Sequence, residues 1–249
     1  NKHLEFAKRS LKIGLSIALA ASILQFFSGS ESAEGVSRNQ PAKLAALEGH
    51  YETGPATMYL FGWVDSKGEK VRFGLGIPGF LSYLVHGNIS APVTGLREFA
   101  PQDRPPVNFV FQTYHAMIAI GMALIGLALL ATLQLWRGKL FTQRWLLGLL
   151  VLSVLGPQLA NQFGWFSAEV GRQPWIVYGL LRTSDALSKV VRAEAVVASL
   201  LMFAFVYALL FAVFVYLLNH KIQHGPDEAD LLPQQKPERI PHHDSRADS

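Results

Sequence analysis

The chain has 249 residues, half of them hydrophobic, with 22 lysines and arginines against 18 aspartates and glutamates and no cysteine. Its apolar residues gather into long runs, which excludes an ordinary soluble domain and makes the basic excess a mark of membrane topology, not of nucleic-acid binding. Without cysteine there are no disulfides, no thiolate-held iron–sulfur clusters and no covalently attached c-type haem, so a redox cofactor has only His, Met, Glu or Asp to hold it.

Four segments approach the roughly 20 apolar residues that cross a hydrocarbon core: Leu11 to Phe27, Val110 to Trp136, Trp145 to Phe166 and Val190 to Leu218. The expected fold is therefore an all-α integral membrane protein of four transmembrane helices. Residues 1–27 form a basic segment and the first span, with Lys12 placed to snorkel toward the headgroups. Glu5 among the basic residues and the lack of a small-residue cleavage pattern argue against a signal peptide, so the chain reads as a fragment that starts just before a membrane helix.

Residues 28–109 are too long for a plain connection and are expected to form a folded extracytoplasmic loop between the first and second spans. Within it Gln40 to Glu52 reads as a short helix with Pro41 at its first position. Tyr59 to Val64 and Lys70 to Phe73, around Asp65-Ser-Lys-Gly68, read as a hairpin, and Phe80 to Val85 as a second short helix. Lys43 and Glu48 lie five apart, about 140° around a helix, so they meet a common ligand only from different sides. Two charges on a solvated face are the plain alternative.

Residues 110–218 carry the other three spans. In the second, Phe111-Gln-Thr-Tyr-His115-Ala-Met117 is followed by Gly121, one turn beyond Met117 on the same face, which leaves room for a flat ring. His115 lies about 200° away and cannot share the target of Met117. The basic connection Arg137 to Arg144 assigns its side, and with it both chain termini, to the cytoplasm. Arg172, Arg182, Lys189 and Arg192 then fall on the outer side, against the charge rule, which marks them as retained for a task.

The third span carries Gln158, Gln162, Trp165, Glu169 and Arg172 or Gln173 on one helical face, and Pro174 ends the helix close to Arg172. Charge at membrane depth costs roughly 2.5–3.5 kcal/mol on insertion scales, so it faces a partner, a cofactor or water. An ion pair of Glu169 with Arg172 that tethers the helix end explains the spacing equally well. So does a haem-free transporter or assembly subunit with a polar intramembrane site. Residues 219–249, rich in proline and charge, are expected to be a disordered cytoplasmic tail whose histidines form no fixed ligand set.

The run Gly164-Trp-Phe-Ser-Ala-Glu169-Val-Gly-Arg172-Gln-Pro-Trp175, continuing to Ser188, resembles the signature of subunit I of the cytochrome bd-type quinol oxidases. Gln40-Pro-Ala-Lys43-Leu-Ala-Ala-Leu-Glu48 resembles that family's quinol-loop helix, and Asp103-Arg-Pro-Pro-Val with Phe111 to Met117 its low-spin haem helix. The resemblance runs from about Glu5 to Leu218 and implies an oxidoreductase of the bacterial inner membrane. Such an enzyme takes electrons from quinol at the outer face and passes them through two haems b to haem d, or a replacement haem, to reduce dioxygen to water.

Carried over, Met117 is implied as a ligand of the low-spin haem b iron and Glu169 of the high-spin haem b iron. Trp165, Arg172 and Gln173 would line the haem environment, while Lys43 and Glu48 would serve quinol oxidation. His115 stands where many relatives have arginine, and the loop resembles the short form. The family subunit has nine spans, of which this chain resembles the last four. The missing N-terminal portion, subunit II and a small accessory subunit are thus the implied partners, with the lipid bilayer. Taken alone, the polypeptide is not expected to reduce oxygen.

Overall fold

A computed structural model describes residues 3–188 and 190–225. It is mostly helical, and four helical stretches are long and apolar enough to cross a membrane. Ser10 to Ser188 form one compact unit, and the last long helix belongs to a second.

Helix α1 spans Leu4–Asn39 and so runs well past Phe27. Nothing between Ser28 and Arg38 breaks it, and an ion pair of Glu34 with Arg38 one turn apart supports its end. Termination comes at Gln40, which precedes Pro41 and leaves the helical region with φ −142° and ψ 63°. Pro41 then opens α2 (Pro41–Leu47), most of which is buried.

The loop beyond α2 is small and mixed. Strand β1 (Gly54–Pro55) pairs antiparallel with β4 (Pro92–Val93). Strands β2 (Met58–Asp65) and β3 (Lys70–Ile77) form the expected hairpin, longer than the sequence suggests and with irregular pairing on both sides of Phe61. Its turn closes on Asp65, whose Oδ1 accepts the backbone N–H groups of Lys67 and Gly68 at 3.1 and 3.0 Å. Helix α3 (Phe80–His86) sits between two glycines, Gly79 and Gly87, both at positive φ.

Helix α4 (Val107–Trp136) follows Pro105 and Pro106. Its first turns serve the loop, not lipid: Val107, Val110 and Phe111 are buried in one cluster with Ala45, Ala46, Leu47 and Val64. A second cluster, around Leu15, Ala131, Leu140 and Leu146, closes the far end of the helix.

The third span is not one continuous helix. It divides into α5 (Arg144–Leu152) and α6 (Leu155–Gly171). Pro157 explains the break, because it lacks an amide hydrogen and its ring clashes with the carbonyl four residues earlier, that of Ser153. The Ser153 hydroxyl instead donates to Leu150 O at 2.8 Å. Helix α6 ends at Gly171, as Pro174 predicts.

Packing of α6 on α4 is the most extensive among the described helix pairs, and glycines make it close. A Cβ on Gly156 would lie 2.8 Å from Leu124 Cδ2, one on Gly164 2.7 Å from Met117 Sδ, and one on Gly171 3.3 Å from Val110 Cγ1. Beyond α6, β5 (Trp175–Val177) and β6 (Leu181–Arg182) form a short hairpin that the sequence does not announce.

In the second unit, α7 (Ala193–His224) continues beyond Leu218, so the expected disorder does not begin there. Asn219 to His224 contain no glycine or proline, and Gly225, at φ 67°, supplies the stop. The rest of the expected tail, with His242 and His243, lies outside the described residues.

Candidate functional site

Helix α2 divides the two loop charges between different neighbours. Lys43 reaches the C-terminal end of α6, where its Nζ donates to Ala168 O at 3.2 Å, and its stem passes over Gly171. An ammonium suits this place because the last carbonyls of a helix lack intrahelical donors. Burial lowers the Lys43 pKa most, Glu169 opposes that shift, and Arg172 reinforces it.

Glu48 caps α2 at its other end and turns into the protein. Only 2% of it is exposed, and its Oε2 has no hydrogen-bond partner among the described residues. Desolvation raises the carboxyl from 4.5 to about 8, partly offset by the nearby Tyr59 backbone. Tyr114, on α4, is close enough to interact electrostatically with it. Beside this end of α2 opens a cleft of about 290 Å³ lined by Gly49, His50, Tyr51, Tyr59 and Glu69 among others. A larger one of about 560 Å³, between Glu34, Arg38, Tyr83 and His86, touches none of the candidate residues.

His115 is buried one turn beyond Phe111 and stacks on that ring at 3.9 Å between centroids. Its Nδ1 lies 2.8 Å from Phe111 O and its Nε2 2.9 Å from Tyr59 O. Both neighbours are acceptors, so a neutral ring satisfies one of them through its single N–H.

Met117 sets its sulfur against Gly164 of α6. The space beside Gly121 is open: a Cβ there would meet nothing within 4 Å. On α6 the Glu169 carboxylate pairs with Arg172, the ion pair that the spacing allows. The Nε of Arg172 is nevertheless buried without a partner among the described residues. Trp165 is 57% exposed and Gln158, Asn161 and Gln162 are exposed as well, so the polar face of the helix is uncovered within its own unit among the described residues. At membrane depth such a face calls for a covering partner.

Gln173 lies in the turn between α6 and the short hairpin. Its Oε1 accepts the Thr183 hydroxyl at 2.6 Å, and its Nε2 donates to Glu169 O at 3.4 Å. Arg182 pairs with Asp103 and lies 4.8 Å from the centroid of the Trp175 ring. That pairing gives Arg182, one of the arginines that stood against the charge rule, a structural partner.

Thus Lys43, Glu169 and Arg172 come together, Glu48 joins Tyr59 and Tyr114, and Met117 meets Gly164. Sequence reasoning passed over Tyr59, Tyr114 and Gly164. The glycines at 156, 164 and 171 recur at steps of eight and seven, a legible sign of a packed helix face. No local signal links Tyr59 to Glu48 or to His115.

Residues 1–226 match the family described as cytochrome bd terminal oxidase subunit I. The chain belongs to that family. It is 33% identical over 237 residues to the cytochrome bd ubiquinol oxidase subunit 1 of Bacillus subtilis (strain 168), covering 91% of this chain and 51% of that protein. To the cytochrome bd-II ubiquinol oxidase subunit 1 of Escherichia coli (strain K12) it is 27% identical over 287 residues, covering 88% and 56%. The structure of bd oxidase from Geobacillus thermodenitrificans superposes with a TM-score of 0.75 at 31% identity, over 88% of this chain and 50% of that one. The chain therefore spans about half the length of the relatives it matches. Family membership and four membrane-length apolar helices make it a multi-pass membrane protein.

Proposed function

We propose that this chain forms the quinol-oxidising, haem b-holding part of a cytochrome bd-type quinol:dioxygen oxidoreductase. It sits in the bacterial inner membrane with its loop outside and both termini inside, alongside the remainder of its subunit, subunit II and a small accessory subunit. Glu48 is the observation that carries the reading: a buried carboxyl with an oxygen unpartnered among the described residues, at the end of a helix packed against the one that bears Met117.

The donor set fits haem b. Met117 offers a thioether for the low-spin iron and Glu169 a carboxylate for the high-spin iron, while the unpartnered Arg172 Nε is available to a propionate. Trp165 and Gln173 flank the same helix end. Bound haem b would supply one-electron acceptance, and haem d, or a replacement haem, would supply the centre for reducing dioxygen to water in the complete enzyme.

The chain's own residues manage the protons. Oxidation of a quinol to a quinone releases two electrons and two protons, so a base must stand within hydrogen-bond reach of a quinol hydroxyl. Glu48, raised to about 8, is a stronger base than a solvated carboxylate and is poised near working pH. Lys43, whose Nζ reaches the end of α6, would order a quinol oxygen or the Glu169 carboxylate. Release of these protons outside gives charge separation.

Reduced-minus-oxidised spectra of membranes containing the complete oxidase test the reading. A low-spin haem b band that disappears in Met117→Leu is expected. An unchanged band removes the ligand assignment, and the absence of any haem signal would favour the haem-free transporter.

A further inference from the structure

The irregular pairing of β2 on either side of Phe61 leaves that stretch of backbone to be placed by something other than its own ladder. Two side chains of α4 do this. Gln112 Nε2 donates to Gly62 O at 2.8 Å, and His115 Nε2 lies 2.9 Å from Tyr59 O. The ring of Tyr59 also meets Phe111 edge-on, at 6.4 Å between centroids, and Phe111 stacks on His115. Tyr59 also lines the cleft beside the end of α2 with Gly49 and His50, and its backbone lowers the pKa of the buried Glu48 carboxyl.

We propose that His115, with its single N–H on Nε2, is a positioning residue for quinol oxidation: by donating to the Tyr59 carbonyl it holds the strand residue that faces Glu48. The inference rests on the proposed role of Glu48. It ties the helix bearing Met117 to the proton-accepting carboxyl through one strand residue, and gives His115 a role in its own surroundings. Small misplacement of a reacting group costs on the order of 100-fold, so an indirect contact of this kind is kinetically visible. Tyr114 is the titratable side chain that faces both Glu48 and His115, the latter edge-on at 5.5 Å.

Three variants in the complete oxidase, in native membranes, test it. His115→Leu removes the donor; His115→Gln carries an amide N–H of comparable reach; His115→Asn is polar but too short for Tyr59 and stays with Phe111. Leu and Asn are expected to lower kcat by about tenfold or more and leave the quinol KM within about twofold. Both should move the midpoint of the pH–rate profile upward, because the backbone that favours the ionised carboxyl is loosened. Gln should recover about half of kcat or more, and the reduced low-spin haem band should persist throughout.

Wild-type kcat and pH midpoint in His115→Leu, with Glu48→Gln still impaired, overturn the positioning role and leave Glu48 in place. Equal kcat in Asn and Gln overturns it even where Leu fails to assemble. Loss of the low-spin band without rescue by Gln assigns His115 to the haem side instead. If Glu48→Gln itself turns over normally, the proposed function falls first.

Discussion

Replacing Glu48 by Gln keeps the side-chain volume and removes the only titration at this position. The raised value of about 8, against 4.5, means that burial sets roughly 5 kcal/mol against the ionised form, at about 1.4 kcal/mol per pH unit. About one molecule in ten then carries the carboxylate at pH 7 and about nine in ten at pH 9. Quinol oxidation limited by this base should rise about ninefold across that interval. In Glu48→Gln the rise should vanish and kcat/KM fall by about 10²-fold or more, with haem content intact.

Stability runs the other way. The folded state binds the proton more tightly than the unfolded chain, so this group's contribution is intact below about 4.5 and lost as pH climbs toward 8. The Gln variant should therefore melt no lower than wild type at pH 8. Oxygen uptake with quinol over a pH series, spectra of the reduced haems and thermal melts read all three effects. A Gln variant with the wild-type pH–rate profile would refute the base assignment, and one that loses haem would make Glu48 a structural residue.

Gly164→Ala puts a methyl group 2.7 Å from Met117 Sδ and should cost about 1–3 kcal/mol, seen as a lower Tm with a weakened or shifted low-spin haem band. An unaltered band and Tm would mean that α4 and α6 do not meet there. Asp103→Asn removes the charge that pairs with Arg182, a partly exposed contact worth roughly 1 kcal/mol. Backbone amides of residues 175–183 should then exchange hydrogen up to about fivefold faster, with the reduced haem spectrum unchanged. Equal exchange rates would show that the pair does not hold the hairpin.

The sequence by itself determined the elements whose cause is local. Apolar runs placed the spans, Pro41 and Pro174 marked a helix start and a helix stop, and Asp65 to Gly68 marked the hairpin turn. The run from Gly164 to Trp175 and the loop-helix run up to Glu48 carried the family resemblance. Pro157 was equally visible, and the break between α5 and α6 shows what reading a span by hydropathy alone conceals. The full length of α1 was also open to view, since hydropathy marks the membrane and not the end of the helix.

Only the tertiary structure decided which charges share a site. Lys43 and Glu48 are close in sequence, yet one caps α6 and the other is sealed against α4, because α2 is wedged between them. His115, a polar residue at the outer end of a span when read locally, meets a carbonyl 56 positions away in sequence. Periodicity describes one helix face at a time. The desolvation that raises Glu48, and the strand residue that faces it, arise from segments distant in sequence, and so belong to the folded chain alone.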